Sequence, residues 1–511
     1  MTETVAIVGA GTMGQGIAQV CLQAGRPAVV YDPFEEALTR ARSALSEVLA
    51  MLEKKGRLSQ PAAVLMRRVT FVTDLSAVSG AGIVIEAAPE DLELKRSLFR
   101  QLDDVVPGAI LASNTSTLSI SAIAGASRRP QRVVGLHFFN PPALMRLVEV
   151  IPAGATDPQV VAKATSFAEE LGKHPVTAKD SPGFIVNRLA RPYYGEALHL
   201  HGEGVPFADI DKVMRGAGFP LGPFELMDLI GIDVNYAASL SVYEGFFQQP
   251  RYRPHPIQRA KVQMGHLGKK SGRGFYTYPQ ASPAGRAAQA RRDARPATAL
   301  IVGEGQVAAA LRAKLRHTED PDKADIALDA RIRLADKSLE PELTNLPRAA
   351  LCWAHSAGLA TGAYQGRAAA GFSLLPPLGD TSVVELLDPL TGDGAAVELA
   401  RRCFESSGLQ VVRLPDQPGG VAMRIIAMLV NEAVSGLAEQ LADKSDLDHA
   451  MKLGTNYPKG PLEWGEQLGL ATVLEVLSGI FDEIGDDRYR PQPLLKRACA
   501  SGVVRWEEAF C

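Results

Sequence analysis

The chain lacks the cysteine and histidine patterns of a disulfide-stabilised or metal-binding protein. Its five cysteines are odd in number and far apart: Cys21, Cys352, Cys403, Cys499 and Cys511. Neither a disulfide framework nor a C-x-x-C site fits this arrangement, so we expect reduced thiols in a cytoplasmic protein. The nine histidines show no ligand spacing, and a surface turn would explain His199 and His201. We therefore expect no metal.

The sequence also lacks an excess of charge of one sign and a long apolar run. The formal net charge is −3, which leaves no global surplus of basic residues for a nucleic acid or an anionic membrane. No uninterrupted apolar segment is long enough to cross a bilayer, and the N-terminus lacks the pattern of a signal peptide. With 511 residues, 46% of them apolar, the chain is long enough for roughly two to four domains.

Two structural patterns alternate along the chain. From residue 5 to about 150, short β-branched runs alternate with longer helical patterns, which predicts βαβ units and a parallel sheet. From residue 181 to 278, apolar residues recur at helical spacing. Residues 279–297 are poor in large apolar side chains and rich in Ala, Arg, Gly and Pro, which is typical of a solvated linker.

The second half of the chain repeats the first. Residues 135–151 align without a gap with residues 371–387, at a constant offset of 236 positions, and Arg188 falls on Arg424 at the same offset. A repeat of this length indicates two copies of one structural unit.

The sheet domain of the second copy is shorter, because Gly9 and His137 are 128 positions apart whereas Gly303 and Ser373 are 70 apart. We expect it to have lost one or two βα units. The predicted fold class is α/β: a Rossmann-type dinucleotide-binding domain, an all-α domain, a shortened and degenerate Rossmann-like domain, and a second all-α domain. The expected boundaries are 1–180, 181–278, a linker over 279–297, 298–415 and 416–511.

A glycine-rich turn predicts a dinucleotide site. Gly9-x-Gly11-x-x-Gly14 follows the apolar strand VAIVG and opens a helix whose N-terminal amides would meet a pyrophosphate. Asp32 ends the next strand, where a carboxylate can hold the ribose hydroxyls, which favours NAD over NADP. The alternative is a turn in an unrelated α/β protein, with Asp32 as a helix N-cap. In the second copy Ala308 replaces the third glycine, and we predict that this copy does not bind a dinucleotide.

A histidine and a carboxylate predict proton transfer beside that site. Oxidation of a secondary alcohol releases a proton, and histidine is the side chain most often poised to take it near neutral pH. His137 ends the run VVGLHFF, and Glu149 follows after a turn at 140–142, so it can face the imidazole from a neighbouring strand. From these residues alone, a core histidine and a surface carboxylate remain the alternative.

Four motifs resemble the 3-hydroxyacyl-CoA dehydrogenase family. They are SNTST at 113–117, GLHFFNPP at 135–142, LVEV at 147–150 and PGFIVNR at 182–188, and the resemblance extends from about residue 3 to 278. It implies oxidation of (S)-3-hydroxyacyl-CoA to 3-oxoacyl-CoA with NAD. It also implies that His137 is the general base, Glu149 its orienting partner, and Ser116 and Asn187 the hydrogen-bond donors to the substrate oxygen.

The same resemblance implies the ligand contacts. The residues expected at NAD are Gly9, Gly11, Thr12, Met13, Gly14, Asp32, Glu90, Lys95, Asn114, Ser116 and Lys270. Lys55 is expected to meet the phosphates of CoA, with Lys54 as the alternative if the register differs by one, and Ser116 is expected at the acyl-CoA. Without the family match, Asn114 and Ser116 would be read as a polar turn and Asn187 as a residue that starts a helix.

The second copy departs from the family pattern at the chemical positions. Ser373 replaces His137 and Met423 replaces Asn187, although Glu385 still matches Glu149. We therefore interpret the second half as structural. Because helical domains of this family pack in pairs, we expect residues 418–500 to cover 182–278 in an intrachain pseudo-dimer; a homo-oligomer stays open.

The substrate is less well defined than the reaction. The double-length layout resembles bacterial enzymes of phenylacetate catabolism that oxidise 3-hydroxyadipyl-CoA, and 3-hydroxybutyryl-CoA dehydrogenases of fatty acid metabolism share it. A distal carboxylate would require a cation, for which Arg191 and Arg146 are candidates. A dehydrogenase of free hydroxy acids and a non-catalytic NAD-binding protein are further alternatives, and intact His137 and Glu149 weigh against the second.

Overall fold

The computed structural model describes residues 3–278, 296–330, 350–353, 369–388 and 394–510. These residues form two compact units: the first comprises the chain up to Arg188 together with Gly436–Asn456, and the second comprises Leu189–Ser435 together with Tyr457 onward. The linker expected at 279–297 lies almost wholly outside the described residues. None of the described helices combines the length and apolar character that a membrane crossing requires.

An eight-stranded sheet organises the first unit. Its strands are β1 (Thr4–Val8), β2 (Ala28–Tyr31), β3 (Val69–Val72), β4 (Ala81–Glu86), β5 (Ile110–Ser113), β6 (Val133–Phe138), β7 (Leu147–Pro152) and β8 (His174–Thr177). Their order in the sheet is β3-β2-β1-β4-β5-β6-β7-β8. All neighbouring strands are parallel except β6 and β7. The predicted Rossmann-type domain is confirmed.

Helices cover this sheet because their apolar residues recur at helical spacing. They are α1 (Thr12–Gln23), α2 (Glu35–Lys54), α3 (Ala62–Met66), α4 (Leu92–Val105), α5 (Ile120–Ala124) and α6 (Pro158–Glu170). In α2, for example, the buried residues are Leu38, Ala41, Leu45 and Leu49, three or four positions apart. The strands are mostly apolar, as expected for a parallel sheet covered on both faces; Val5, Ala6 and Ile7 are fully buried.

The predicted all-α domain is also present. Its helices are α7 (Val186–Leu189), α8 (Arg191–Gly202), α9 (Phe207–Gly216), α10 (Pro223–Ile230), α11 (Ile232–Gly245) and α12 (Pro256–Gln263). Helix α8 carries His199 and His201, so the interpretation of these two residues as a surface turn is wrong. Burial, reinforced by the charge of Arg488, lowers the pKa of His199 to about 3, and its imidazole is therefore neutral.

The second sheet is a reduced copy of the first. Its strands are β9 (Ala299–Val302), β10 (Ile326–Asp329), β11 (Ala350–Trp353), β12 (Ala369–Ser373), β13 (Val383–Asp388) and β14 (Gln410–Pro415), with helices α13 (Gln306–Lys314) and α14 (Ala395–Ser406). The order is β14-β13-β12-β11-β10-β9, and only β12 and β13 are antiparallel. In the described parts of the chain, β2 and β3 have no counterpart, which confirms the predicted shortening.

The edge left by the missing strands is closed by other groups. Residues 316–318 bond to the backbone of Ala299 on β9. The guanidinium of Arg312 donates to the carbonyl oxygens of Ile301 and Gly303 at 3.1 and 2.9 Å. These contacts satisfy backbone groups that β2 would otherwise pair, and they protect the exposed edge of the sheet.

The two helical copies each contribute one helix to the sheet of the other copy. The remaining helices are α15 (Ala422–Ala438), α16 (Lys444–Thr455), α17 (Pro461–Leu468), α18 (Leu470–Ile484) and α19 (Pro493–Ala500). In the first unit, α16 packs on β7 and β8, and the carboxylate of Asp446 accepts from the Thr177 amide at 3.3 Å. In the second unit, α9 packs on β13, and Lys212 donates to the Val411 carbonyl at 3.3 Å.

Candidate active site

His137 and Glu149 form a buried pair across two neighbouring strands. The antiparallel register of β6 and β7 places the two residues opposite each other, and His137 Nδ1 lies 2.6 Å from Glu149 Oε2. The other carboxylate oxygen accepts from the amides of Ile185 and Val186 at 3.0 and 2.9 Å, where α7 begins. A carboxylate that only accepts requires the hydrogen on Nδ1, which leaves Nε2 of the neutral ring as an acceptor.

Ser116 lies at the other nitrogen of this imidazole, and Asn187 contacts Ser116. Ser116 Oγ is 3.1 Å from His137 Nε2, and Asn187 Nδ2 donates to the Ser116 carbonyl at 3.3 Å. Asn114 fixes the adjacent backbone, because its Oδ1 accepts from the Phe138 amide at 2.8 Å. All of them lie in the first unit, where the carboxyl ends of β5 and β6 meet, the usual position of a ligand site in such sheets.

Glu90 holds the turn that carries Ser116. It accepts hydrogen bonds from the backbone and side chains of residues 115–117, at 2.6 to 3.1 Å. Burial alone would raise the pKa of Glu90. The ammonium of Lys95 and the hydrogen bonds from the turn lower it by more, so the pKa lies below its ordinary value. The carboxylate therefore stays charged and keeps its grip on the turn.

Lys95 lies inside the protein. Its side chain is 1% exposed, and its ammonium is 2.6 Å from Glu86, 3.1 Å from the Ala88 carbonyl and 3.5 Å from Glu90. The expected contact of Lys95 with a cofactor remains a prediction, since its nearest partners are internal. Glu86 was missed by sequence reasoning, although a lone carboxylate at the end of the apolar run GIVIE is a visible signal for a buried partner.

The glycine-rich turn has the shape that a dinucleotide requires. Gly9 has φ of +110°, and a Cβ there would meet the Ala87 carbonyl oxygen at 2.6 Å. A Cβ at Gly14 would collide with the carbonyl of Gly9. Helix α1 begins just after Gly11 with no side-chain cap and no acidic residue in its first turn, so its amides face outward unneutralised.

Asp32 lies at the end of β2, beside that turn. Its Oδ2 accepts from the Ala10 amide at 2.9 Å and its Oδ1 from the Phe34 amide at 3.0 Å. The backbone cradle, the uncapped helix and this carboxylate together fit NAD. In the second copy, Ala308 stands at the third glycine, and the described residues include neither a strand in place of β2 nor the carboxylate at its end.

Two further expected contact residues lie on the surface. Lys55 follows the end of α2 and is exposed. Lys270 belongs to the second unit, where its ammonium pairs with the carboxylate of Asp233 at 2.6 Å.

The second copy keeps the carboxylate but not the acid–base partner. Ser373 and Glu385 face each other across β12 and β13, as His137 and Glu149 do in the first sheet. Glu385 accepts from the amides of Val421 and Ala422 at 2.6 and 3.1 Å. Burial raises its pKa to about 7. The side chain of Glu385 thus binds the backbone where α15 begins, and the residue opposite it is a serine in place of the histidine.

A pocket of about 230 Å³ opens beside the glycine-rich turn, within the first unit. It is lined by α1, by α2 and by the loop after β6; the residues are Thr12, Gln15, Gly16, Gln19, Ala44, Leu45, Val48, Asn140, Pro141, Pro142 and Ala143. None of these residues is charged, and three of them carry amide side chains. Such a lining suits a ligand segment with both methylene and amide groups.

Comparison with known proteins agrees with this geometry. Residues 4–181 match the NAD binding domain of 3-hydroxyacyl-CoA dehydrogenase, and residues 183–278 and 419–507 match its C-terminal domain. The chain is 38% identical over 499 residues to 3-hydroxyadipyl-CoA dehydrogenase of Escherichia coli, covering 97% of both proteins. It is 42% identical over 275 residues to a probable 3-hydroxybutyryl-CoA dehydrogenase of Deinococcus radiodurans, covering 53% of this chain and 99% of that protein.

A solved structure shares the whole layout. The crystal structure of 3-hydroxybutyryl-CoA dehydrogenase from Escherichia coli has a TM-score of 0.83 and 36% identity, and the match covers 98% of this chain and 99% of that one. The matched domains, the conserved layout and the nucleotide turn lead to one assignment. The chain belongs to the 3-hydroxyacyl-CoA dehydrogenase family and is an NAD-dependent 3-hydroxyacyl-CoA dehydrogenase.

Proposed function

We propose that the substrate of this enzyme is 3-hydroxyadipyl-CoA and that the reaction serves phenylacetate catabolism. The observation that carries the proposal is the match over 97% of both chains to the Escherichia coli protein named for this substrate. 3-Hydroxybutyryl-CoA is the alternative, because the solved structure with the same layout carries that name. Membership of the family argues against a non-catalytic protein and a dehydrogenase of free acids.

In the proposed mechanism, His137 is the general base. With Glu149 on Nδ1, the neutral ring presents Nε2 to the substrate hydroxyl and takes its proton as C3 becomes a carbonyl carbon. Ser116 and Asn187 donate hydrogen bonds to the substrate oxygen, and in the reverse direction His137 returns the proton. NAD, when bound, supplies the hydride acceptor; the residues proposed to hold it are Gly9, Gly11, Thr12, Met13, Gly14 and Asp32.

The CoA moiety is proposed to run along α2. The uncharged 230 Å³ pocket, which includes Val48, suits the amides and methylenes of a pantetheine arm. Lys55 lies seven positions beyond Val48, two helical turns or roughly 10 Å along the same face. Lys54 points roughly 120° away around the helix, so we propose Lys55 as the residue that meets the CoA phosphates.

The test is NADH consumption with acetoacetyl-CoA and with 3-oxoadipyl-CoA. We expect 3-oxoadipyl-CoA to give the higher kcat/KM and His137→Ala to lower kcat by at least ~10²-fold, the lower end of the usual contribution of an acid–base group. Ser373→Ala is the matched control from the second copy and should retain full activity. A preference for acetoacetyl-CoA would favour the hydroxybutyryl alternative, and turnover of neither thioester would contradict the proposal.

Arg146 is the proposed partner of the distal carboxylate. Arg191 is buried and donates to Ser239 Oγ at 2.8 Å and to the Asn235 carbonyl at 3.3 Å, so its guanidinium is occupied. Arg146 is exposed at the end of the loop that follows His137. Arg146→Met should lower kcat/KM for 3-oxoadipyl-CoA but not for acetoacetyl-CoA, and an equal change for both would contradict this role.

We also propose that the two helical domains form an intrachain pseudo-dimer, with the domain boundaries expected from the sequence. The exchange of α9 and α16 between the copies supports it. A chain ending at residue 278 should then expose apolar faces and lose solubility or activity; a soluble, fully active and monomeric fragment would contradict the pseudo-dimer.

The buried thiols of Cys21 and Cys403, which form no disulfide, support our proposal of a cytoplasmic location.

A further inference from the structure

A lysine side chain donates hydrogen bonds to the loop between β6 and β7. Lys173, between α6 and β8, donates to the carbonyl oxygens of Pro142 and Met145 at 2.5 and 2.9 Å. Among the described residues, no carboxylate acts on its ammonium as an ion-pair partner. Burial lowers the pKa of Lys173 from its ordinary value, as expected for a cation without a counter-charge. The ammonium is therefore placed against backbone carbonyls of this loop and against no acidic side chain.

The opposite side of the loop rests on helix α1. A Cβ at Gly16 would meet the ring of Pro142 at 2.7 Å, so the loop approaches the helix closely because Gly16 has no side chain. Beyond the loop, the His174 amide donates to the Arg146 carbonyl at 2.7 Å. The loop is thus held from two sides, and its residues 140–143 form one wall of the 230 Å³ pocket.

The second copy has lost this arrangement. At the offset of 236, Leu409 stands in place of Lys173 and Leu378 in place of Pro142. The same copy has lost its catalytic histidine, whereas it keeps Arg424, which serves packing. The lysine is therefore absent from the copy that also lacks the histidine, which is consistent with a role at the site.

We propose that Lys173 is a positioning residue for the thioester substrate, because it fixes the loop wall of the pocket that receives the pantetheine arm. The identity of that ligand rests on the proposed function. Without the ammonium, the carbonyls of Pro142 and Met145 lose their common donor, and the loop samples positions that narrow the pocket. Binding of the acyl-CoA thioester is then weaker, whereas the rate of proton transfer at His137 is unchanged once the thioester is bound.

The experiment compares Lys173→Met with Lys173→Arg, which keeps the donors, and with Lys163→Met, an exposed lysine of α6 as the control. We expect Lys173→Met to raise KM for acetoacetyl-CoA roughly tenfold, equivalent to about 1.4 kcal/mol, with kcat and NADH affinity little changed. An N-acetylcysteamine thioester, which lacks most of the arm, should show no such rise. Hydrogen exchange of residues 139–146 should accelerate in Lys173→Met and not in the other two variants.

Unchanged KM and unchanged exchange in Lys173→Met would overturn the inference. If that variant does not fold, Lys173→Gln carries the test, because its shorter side chain cannot reach both carbonyl oxygens; KM for acetoacetyl-CoA should rise, and an unaltered KM would overturn the inference. Failure of the proposed function is distinguishable, because the wild-type enzyme would then turn over neither thioester. The exchange measurement would still report on the lysine in that case.

Discussion

Arg188 donates to both carboxylate oxygens of Glu439, at 2.8 and 2.9 Å, across 251 positions of the chain. The equivalent residues of the other copy, Arg424 and Glu203, form the same two-bonded pair at 2.9 and 3.1 Å. Each arginine therefore binds the glutamate of the opposite copy. Reciprocal contacts of this kind are typical of an isologous interface, and they support the proposed intrachain pseudo-dimer.

Removal of Arg424 should be costly. Its guanidinium is fully buried and also lies 3.0 Å from Glu196, which is 1% exposed, so Arg424→Met leaves a buried carboxylate with less compensation. We expect the free energy of unfolding to fall by about 3 to 5 kcal/mol, measured by urea denaturation. The control is Arg413→Met, in an exposed pair with Asp388, for which we expect at most about 1 kcal/mol. Equal losses in the two variants would contradict a structural role for the buried pair.

Glu149→Gln should abolish most activity because it moves the hydrogen of the neutral imidazole from Nδ1 to Nε2. The amide nitrogen of glutamine would donate to His137 Nδ1, which forces the hydrogen onto Nε2, so that the ring cannot accept a proton from the substrate. We expect kcat to fall roughly 10²- to 10⁴-fold. Glu385→Gln, the same change in the second copy, should leave kcat unaltered. Comparable losses in both variants would show that the effect is structural.

Glu385→Gln should change the pH dependence of stability. Burial raises the folded-state pKa of Glu385 to about 7 from an ordinary value of 4.5, so the folded chain binds a proton more tightly than the unfolded chain. The associated stability is present below the unfolded pKa and is lost as the pH rises through about 7, a loss of up to about 3 kcal/mol. The Tm of the variant relative to wild type should therefore rise between about pH 5 and about pH 8. A difference that is the same at both pH values would contradict this origin.

The chain should bind one NADH. Gly14→Ala places a Cβ against the Gly9 carbonyl and should eliminate binding, measured by calorimetry as the loss of the single site. Ala308→Gly in the second copy should not create a second site, because the described residues there include no counterpart of β2 or of the carboxylate that we propose for the ribose. A stoichiometry of two for wild type or for Ala308→Gly would refute the interpretation of the second fold.

Local patterns in the sequence determined much of this protein. The alternation of apolar runs and helical spacing predicted both the sheet and the helical domain, since each pattern depends on residues only two to four positions apart. The turn at 140–142 predicted that Glu149, twelve positions after His137, lies on a neighbouring strand. The sequence pattern predicted a parallel sheet, and only the structure shows that these two strands are antiparallel. The repeat with shortened spacing predicted a reduced second sheet, because missing residues cannot form strands.

Only the tertiary structure shows which side chains contact each other. The ammonium of Lys95 contacts Glu86 and Glu90, a pairing that the sequence did not indicate. His199 was expected in a surface turn and is instead part of α8. No local sequence pattern indicated that Lys173 binds the loop. None indicated that α9 and α16 each pack on the sheet of the other copy. Such contacts join residues far apart in the chain, and they form only where burial brings a charge or an apolar face to the partner that best offsets its loss of water.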